Sequence, residues 1–496
     1  MSSLPLLSVF FMLHEIFRRL YELLLPLGRR DISWSSTFLD FAHFPSLLLR
    51  NFTVMRRPPP SFPDLPVEVL MEIFQFATYL HDSESILPLD PFIPQQISHN
   101  ALGPNTALST VRTKCALVLV CRSWRNVAIP LLYRHLVIRS PRRAALLLSS
   151  LTSRLPTPVG TAPSDYGRFA RHLEIHTHSR GSDTYNFLLT ICRVIQRCPN
   201  LRILSGSWNH ALPSGFRQSI SQMCGSNVRE LLWSELYPNY LELAKFMTDF
   251  QNLQVLDLSR VTSAYDKSTP LSLPLVQALI ISTHAGSVSL ATSISMPKLH
   301  TLVLRLEIQK LDSKCSNYLK SFLKIRGVAL KTLHILPLMG DQNALEDFHI
   351  LFEDCSCLET VTFHVNSTPT FQHPSVRRIG ICGLNSDAFE HSKTTNGNTC
   401  LRTLADRSLY PCLETVRTVD YLVENHTSSL DHFIWWSEQF EHRGVDFQDG
   451  AGVVWMYNET QDVQCADGVP SNGYRYVWKG ENSRFFSIQS THFVVQ

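Results

Sequence analysis

Glycine is scarce in this sequence, which has 20 glycines against 28 prolines among 496 residues. Loops in which backbone amides approach a phosphate depend on glycine. None of the motifs G-x-x-x-x-G-K-[ST], G-x-G-x-x-G, G-x-S-x-G and H-E-x-x-H occurs. The sequence therefore carries no motif for nucleotide binding, a serine nucleophile or a zinc protease. These absences do not exclude an active site whose residues lie far apart in the sequence and come together only in the fold.

The twelve cysteines include no C-x2-C pair, which argues against a zinc ribbon and against a dense disulfide framework. We expect thiols in a reducing compartment, and hence a location in the cytoplasm and/or nucleus. No set of four metal ligands is evident, so no cofactor is expected. A net charge of +3 is too small to indicate nucleic acid or an acidic membrane as a partner.

The amino end also lacks an apolar run of the ~20 residues that a membrane-spanning helix needs. Residues Leu4–Leu13 are apolar, but His14 and Glu15 end the run. Residues 1–3 lack the basic start of a signal peptide. Residues 1–57 are therefore predicted to be a leader, either amphipathic or disordered.

A stretch of amphipathic character follows a stiff spacer at Pro58–Pro60. Its apolar residues fall on one side of a 3.6-residue helix: Val69, Leu70, Ile73, Phe74 and Ala77. Residues 81–105 show little periodicity and are predicted to be a loop. A loop of this length is unusual inside a compact domain.

A second helical run covers residues 109–138. Its apolar residues include Val111, Cys115, Val118, Cys121, Val127 and Leu131. Trp124 is predicted to lie on the same side as Cys121, three residues earlier. We expect Pro130 to break or end this helix, because proline removes a backbone donor.

Acidic residues are absent from residues 91–164, where nine Arg and Lys residues accumulate. Such a stretch is expected to attract an acidic partner. Nucleic acid would match the charge, but no array of base-stacking aromatic residues accompanies the arginines. A solvated basic face is the alternative.

The two helical stretches together resemble an F-box. LPxExLxxIF at residues 65–74 is similar to its first half, and LxxVCRxWR at residues 117–125 to its second. The insertion at residues 81–105 departs from that pattern. The resemblance implies a small all-helical module at 62–138 that docks on the Skp-type adaptor of a cullin-RING ubiquitin ligase. It implies these adaptor-binding residues: Leu65, Pro66, Val69, Leu70, Ile73, Phe74, Val118, Cys121 and Trp124.

Ten segments between Gly167 and Val419 share a pattern in which the fourth and seventh positions are apolar. The ninth is apolar except at Gly206 and Thr418. The steps between units run from 18 to 37 residues, mostly near the 20–29 of leucine-rich repeats. The seventh positions are Leu173, Leu204, Leu231, Leu256, Leu279, Leu302, Leu333, Val361, Ile379 and Val416.

This pattern resembles an irregular leucine-rich repeat array of strand and helix units, although the Asn or Cys that usually follows each strand is missing. The predicted fold class is α/β, with an F-box-like helical module followed by a strand-helix solenoid. The solenoid is predicted at residues 165–430, and a cap at 431–496. A parallel α/β domain without repeats is the alternative.

The order of parts predicts a substrate-recruiting subunit of an SCF-type ubiquitin ligase. In this hypothesis the chain is not an enzyme, the module binds the adaptor, and the array binds a target protein of unknown identity. No nucleic acid or membrane partner is expected. The alternative is a repeat-bearing scaffold without a ligase link, in which the module caps the array.

Overall fold

The computed structural model describes residues 65–92, 105–152, 165–177, 183–235, 240–261, 271–306, 313–336, 350–367, 372–390, 395–406, 408–423, 428–457 and 474–478. The predicted leader at 1–57 and much of the predicted cap lie outside the described residues. All elements below belong to one compact unit that begins at Pro66. Within the described ranges, no helix combines the length and the apolar character needed to cross a bilayer.

Three helices open this unit: α1 (Val67–Ala77), α2 (Ala107–Val120) and α3 (Arg122–Arg134). The second predicted helical run is therefore two helices, because Cys121 is extended and caps α3 by accepting a hydrogen bond from the Trp124 amide. The prediction that Pro130 ends a helix is wrong. Helix α3 continues through Pro130, flanked by the buried side chains of Val127, Ala128 and Leu131.

Twelve parallel strands form one sheet and lie in it in the order in which they occur along the chain. A doubly wound α/β sheet would instead reverse its order at a switch point, so the strand order is that of a solenoid. The strands are β1 (His135–Ile138), β2 (His172–Thr177), β3 (Ile203–Trp208), β4 (Glu230–Glu235), β5 (Val255–Asp257), β7 (Ala278–Ser282), β9 (Thr301–Arg305), β10 (Thr332–Leu336), β11 (Thr360–His364), β12 (Arg378–Cys382), β13 (Thr415–Thr418) and β14 (Asp446–Gln448). Two short strands, β6 (Leu271–Ser272) and β8 (Ile294–Ser295), pair outside it.

The register confirms the predicted repeat. All ten seventh positions pair with one another in a single ladder across β2 to β13. Each of these side chains is buried. The ladder continues to Leu136 of β1 and Phe447 of β14, so the sheet begins inside the predicted module and ends inside the predicted cap.

Helices pack against one side of the sheet, since their buried side chains join the ladder residues in one core cluster. Residues that alternate with the ladder point to the opposite side, which we call the open face. The remaining helices of five or more residues are α4 (Pro141–Thr152), α5 (Tyr185–Gln196), α6 (Ser214–Cys224), α7 (Tyr240–Thr248), α8 (Ala285–Ser293), α9 (Ser313–Arg326), α12 (Asn396–Leu404) and α13 (Ser428–Glu441). Two single turns are α10 (Ile350–Glu353) and α11 (Ser386–Phe389), and β15 (Val453–Tyr457) pairs with β16 (Tyr474–Trp478).

The two exceptions to the repeat pattern have physical reasons. A Cβ on Gly206 would lie 2.7 Å from Nε1 of Trp208 and 2.9 Å from the ring of Trp233. These two rings fill the space that a ninth-position side chain takes elsewhere. Thr418 is fully buried and donates a hydrogen bond from Oγ1 to the Tyr421 carbonyl at 2.9 Å, so its hydroxyl is satisfied in the core.

Asparagine side chains link successive units ahead of the strands. Asn200 Nδ2 donates to the Arg168 carbonyl at 2.8 Å, Asn227 Nδ2 to Pro199 at 2.9 Å, and Asn252 Nδ2 to Ser226 at 2.7 Å. Each asparagine is the third residue of the repeat pattern in three consecutive units. These three units therefore have an asparagine before the strand and not after it. Its side chain hydrogen-bonds a main-chain carbonyl in the preceding unit.

Candidate functional site

The helical module has its own small core. Phe74 of α1 lies edge-on against Trp124 of α3, with ring centroids 4.9 Å apart. Leu70 and Phe74 are buried, and α1 contacts both α2 and α3. Phe74 therefore joins the first helix of the module to the third.

The predicted adaptor-binding residues fall into three groups. Leu70 and Phe74 lie inside the module, so they support its surface and do not form it. Pro66 and Cys121 are exposed. The others are half-buried: Leu65, Val69, Ile73, Val118 and Trp124.

A stripe of exposed side chains runs along α2, formed by Leu108, Val111, Cys115 and Leu119. At 100° per residue these four positions fall within about 80° of the helix circumference, and we call them the α2 stripe. Leu119 is 73% exposed. Val67 and Phe76 add exposed apolar surface on α1. Apolar side chains grouped on one helix in this way indicate a contact surface.

Exposed arginines occur on α2 and in the segments that follow it, and residues 91–164 contain no acidic residue. The exposed ones are Arg112, Arg122, Arg125, Arg139, Arg142 and Arg143. Lys114 is different, because it is buried and burial lowers its pKa. Arg134 is half-buried and pairs with Glu84 at 2.5 Å between Nη2 and Oε2. Residues 105–143 therefore expose only positive charge, whereas α1 exposes Glu68 and Glu72.

Residues 80–92, which we call the strap, leave the module and cross the open face. They belong to the segment predicted as a loop at 81–105, whose residues 93–104 lie outside the described residues. Near β4, Oε2 of Glu230 accepts hydrogen bonds from the Ser85 hydroxyl and the Ile86 amide, both at 2.8 Å. Burial raises the pKa of Glu230, and these hydrogen bonds oppose that shift.

The strap reaches the far end of the sheet at Phe92. Arg378 of β12 and Arg417 of β13 place their guanidinium carbons 5.3 Å and 5.4 Å from the centre of the Phe92 ring. Arg417 Nη1 also donates to the Pro91 carbonyl at 2.8 Å. Cations over an aromatic face attract its quadrupole. The strap is therefore bound by side chains of the open face at both ends.

A group of histidines at β1 and β2 does not form a catalytic relay. Glu174 accepts hydrogen bonds from Nε2 of His135 at 3.1 Å and of His176 at 2.5 Å. His172 instead hydrogen-bonds the Ser205 hydroxyl at 3.0 Å and stacks on His135. The acid and the hydroxyl are thus bound to different histidines, so no nucleophile, base and acid stand in series. Among the described residues, no three His, Cys, Asp or Glu side chains are placed to hold a metal ion.

Two buried histidines should make stability depend on pH. Burial, and then nearby His135, lower the pKa of His172 to about 3, and burial lowers that of His334 to about 4. Below about pH 6.5 these two histidines bind protons in the unfolded chain but stay neutral in the folded protein. We expect urea unfolding to show a loss of about 2 kcal/mol per histidine between pH 7 and pH 5.

The variant His172→Gln/His334→Gln tests this expectation, with the exposed His300→Gln as its control. The double variant should be less stable than the wild type at pH 7 but should lose less stability on acidification. An unchanged difference between pH 7 and pH 5 in the double variant would show that other groups cause the acid sensitivity.

No family model matches this chain, and no curated protein matches it. Among solved structures, a chain of the Rad7–Elc1 complex in yeast is 12% identical over 73% of this chain and 90% of that chain, with a TM-score of 0.20. A likeness at that TM-score carries no argument. The strand order and register alone establish this chain as a strand-helix solenoid joined to a three-helix module.

Proposed function

We propose that this protein is the substrate-recruiting subunit of a cullin-RING ubiquitin ligase of the SCF type. Its helical module binds a Skp-type adaptor, and its strand-helix array binds a target protein. The chain itself is not an enzyme in this proposal, and it works in the cytoplasm and/or nucleus. The proposal rests on the F-box-like sequence of the module and on the α2 stripe.

The observation that carries the proposal is the exposed apolar surface of the module. A small helical module buries little of its own surface, and this one leaves Leu108, Val111 and Leu119 exposed along one line of α2. Burying each such side chain in an interface yields a gross gain of about 1.5–3 kcal/mol, from which the cost of association is subtracted. Micromolar or tighter binding is consistent with these gains.

Positive charge on the exposed part of residues 105–143 favours an acidic partner. Residues 105–143 expose six arginines and no acidic residue, so an acidic adaptor would approach this part of the surface faster than a neutral one. The attraction is screened by salt, since the Debye length falls to about 3 Å at 1 M. The association rate with an acidic adaptor should therefore fall steeply as salt is raised.

Binding of a purified Skp-type adaptor by calorimetry tests the proposal. We expect Val111→Glu/Leu119→Glu to weaken binding at least about 100-fold, a loss of about 2.7 kcal/mol. The matched control is Ile325→Glu/Val328→Glu, which changes two exposed apolar residues at the end of α9 and just after it. It should bind within about twofold of the wild type. Thermal unfolding should show both variants folded, because all four positions are exposed.

The alternative is a scaffold in which the module only caps the array. It is favoured by the continuity of the chain, because β1 directly follows α3 and pairs with β2. Tyr133 of α3 also stacks on Tyr166, with ring centroids 4.9 Å apart. Deleting residues 62–138 would remove β1 as well and could not separate the two functions. The stripe variants can: if the wild type fails to bind the adaptor, or if Val111→Glu/Leu119→Glu binds equally well, the scaffold is the better description.

A further inference from the structure

The strap lies on the open face in the manner of a bound peptide. Along its length its contacts follow the order of the strands. Glu84 meets Arg134 just before β1, Ser85 and Ile86 meet Glu230 on β4, and Phe92 meets β12 and β13. The chain thus runs across the strands. Side chains of the open face contact it at β4, β12 and β13, and Arg134 of α3 contacts it before β1.

The two ends of the strap are recognised by different chemistry. Glu230 accepts hydrogen bonds from the Ile86 amide and the Ser85 hydroxyl, so it binds the backbone of the strap and one polar side chain. At the other end, Arg378 and Arg417 contact the Phe92 ring, and Arg417 also hydrogen-bonds the Pro91 carbonyl. Between them, Asp90 accepts a hydrogen bond from the Phe92 amide at 2.9 Å, which turns the ring towards the arginines.

The strap carries net negative charge, whereas the face at its far end carries two guanidinium groups. Residues 80–92 contain Asp82, Glu84 and Asp90 and no Lys or Arg. The Asp90 carboxylate acts on His334 of β10, where it partly offsets the effect of burial on the ring's pKa. The face beneath the end of the strap thus combines a buried imidazole with two guanidinium groups.

We propose that the strap is a displaceable internal ligand, and that the open face binds an extended peptide with an acidic residue two positions before an aromatic one. The strap presents this arrangement at Asp90 and Phe92. Most of its residues between 84 and 92 are only half-buried, and it forms no strand with the sheet. Few contacts therefore have to break before another peptide can take its place.

Tethering makes the strap a strong competitor. It is held by α1 at one end and leads towards α2 at the other, so its effective concentration at the face is of the order of millimolar. A peptide added in trans binds only the fraction of molecules whose strap has left, which raises its apparent Kd by that factor. Weakening the strap should then reveal the site.

The test uses the full-length protein and a fluorescein-labelled peptide of residues 83–92, SESILPLDPF. Fluorescence anisotropy should show at least tenfold tighter binding to Asp90→Ala/Phe92→Ala than to the wild type. Adding Arg378→Ala to that variant should weaken binding at least tenfold. The matched control is Arg377→Ala, an exposed neighbour that pairs with Glu414, and it should change binding less than twofold.

Two further measurements keep the result clear. A peptide with alanine in place of its final phenylalanine should bind the opened variant at least tenfold more weakly. In the wild type, excess peptide should speed hydrogen exchange at the Ile86 amide, which the Glu230 carboxylate protects. Equal binding to wild type and opened variant, or equal binding of both peptides, overturns the proposal.

This inference stands apart from the proposed ligase function. Adding Val111→Glu/Leu119→Glu to the Asp90→Ala/Phe92→Ala variant should leave peptide binding by the open face unchanged. Arg378→Ala should leave adaptor binding unchanged. Failure of one proposal is therefore measured separately from failure of the other.

Discussion

Replacing Phe74 with alanine should lower the free energy of unfolding of the helical module by about 3–5 kcal/mol. Phe74 is 1% exposed and fills the space between α1 and Trp124 of α3. Its loss removes buried apolar area and leaves a cavity that the short α1 cannot close. Urea unfolding and hydrogen exchange of the α1 amides measure the change.

Phe76, two residues along the same helix, is the matched control because it is 50% exposed. Phe76→Ala should cost less than about 1 kcal/mol. The pair also bears on the adaptor proposal. Phe74→Ala should weaken adaptor binding by unfolding the module, whereas Val111→Glu/Leu119→Glu should weaken it at least about 100-fold in a folded protein. Equal destabilisation by Phe74→Ala and Phe76→Ala would contradict the packing described for α1.

Breaking the ion pair between Arg217 and Glu235 should also destabilise the array strongly. Nη1 of Arg217 and Oε2 of Glu235 lie 2.6 Å apart, and their side chains are 4% and 1% exposed. Glu235 also accepts hydrogen bonds from the Trp233 indole at 2.7 Å and the Leu212 amide at 3.3 Å. Glu235→Leu should cost about 3–5 kcal/mol, because it leaves a buried guanidinium without this carboxylate.

A double-mutant cycle and a surface pair complete this test. Arg217→Met/Glu235→Leu should cost much less than the sum of the two single changes, since it removes both charges. The control is Glu414→Gln at the exposed pair with Arg377, where the side chains are 57% and 58% exposed. That change should cost less than about 1 kcal/mol. If both pairs give the same loss in urea unfolding, burial does not determine the strength of the inner pair.

The array could be predicted from sequence because its rule is local and steric. Every unit must place an apolar residue at the seventh position to reach the common core, and all ten chosen residues pair in one ladder. The ends were not predicted in this way, because β1 lies within the F-box-like stretch and Gly444 stands at the fourth position ahead of β14. The linking asparagines recur in the sequence as the third residue of three units, whereas the leucine-rich repeat pattern has its asparagine after the strand.

The second helical run was harder to predict than the array, because a single residue divides it into two helices. Cys121 is extended, with φ −158° and ψ 172°, so α2 and α3 do not share one helical face. One continuous helix would place Val118 and Cys121 on the same side as Trp124, whereas the break at Cys121 leaves Leu108 and Leu119 exposed on α2 alone. The strap contacts are beyond any local pattern, since Ile86 and Glu230 are 144 residues apart in the chain.

The contact between Pro91 and Arg417 has a consequence for synthesis on the ribosome, because these residues are 326 positions apart. At about 5–20 residues per second, roughly 16–65 s separate the emergence of the two partners. During that interval Phe92 and its neighbours are exposed in the nascent chain, because Arg378 and Arg417 have not yet been synthesised. Chaperones that recognise extended apolar segments would therefore meet this segment during translation and lose access to it once the last repeats have folded.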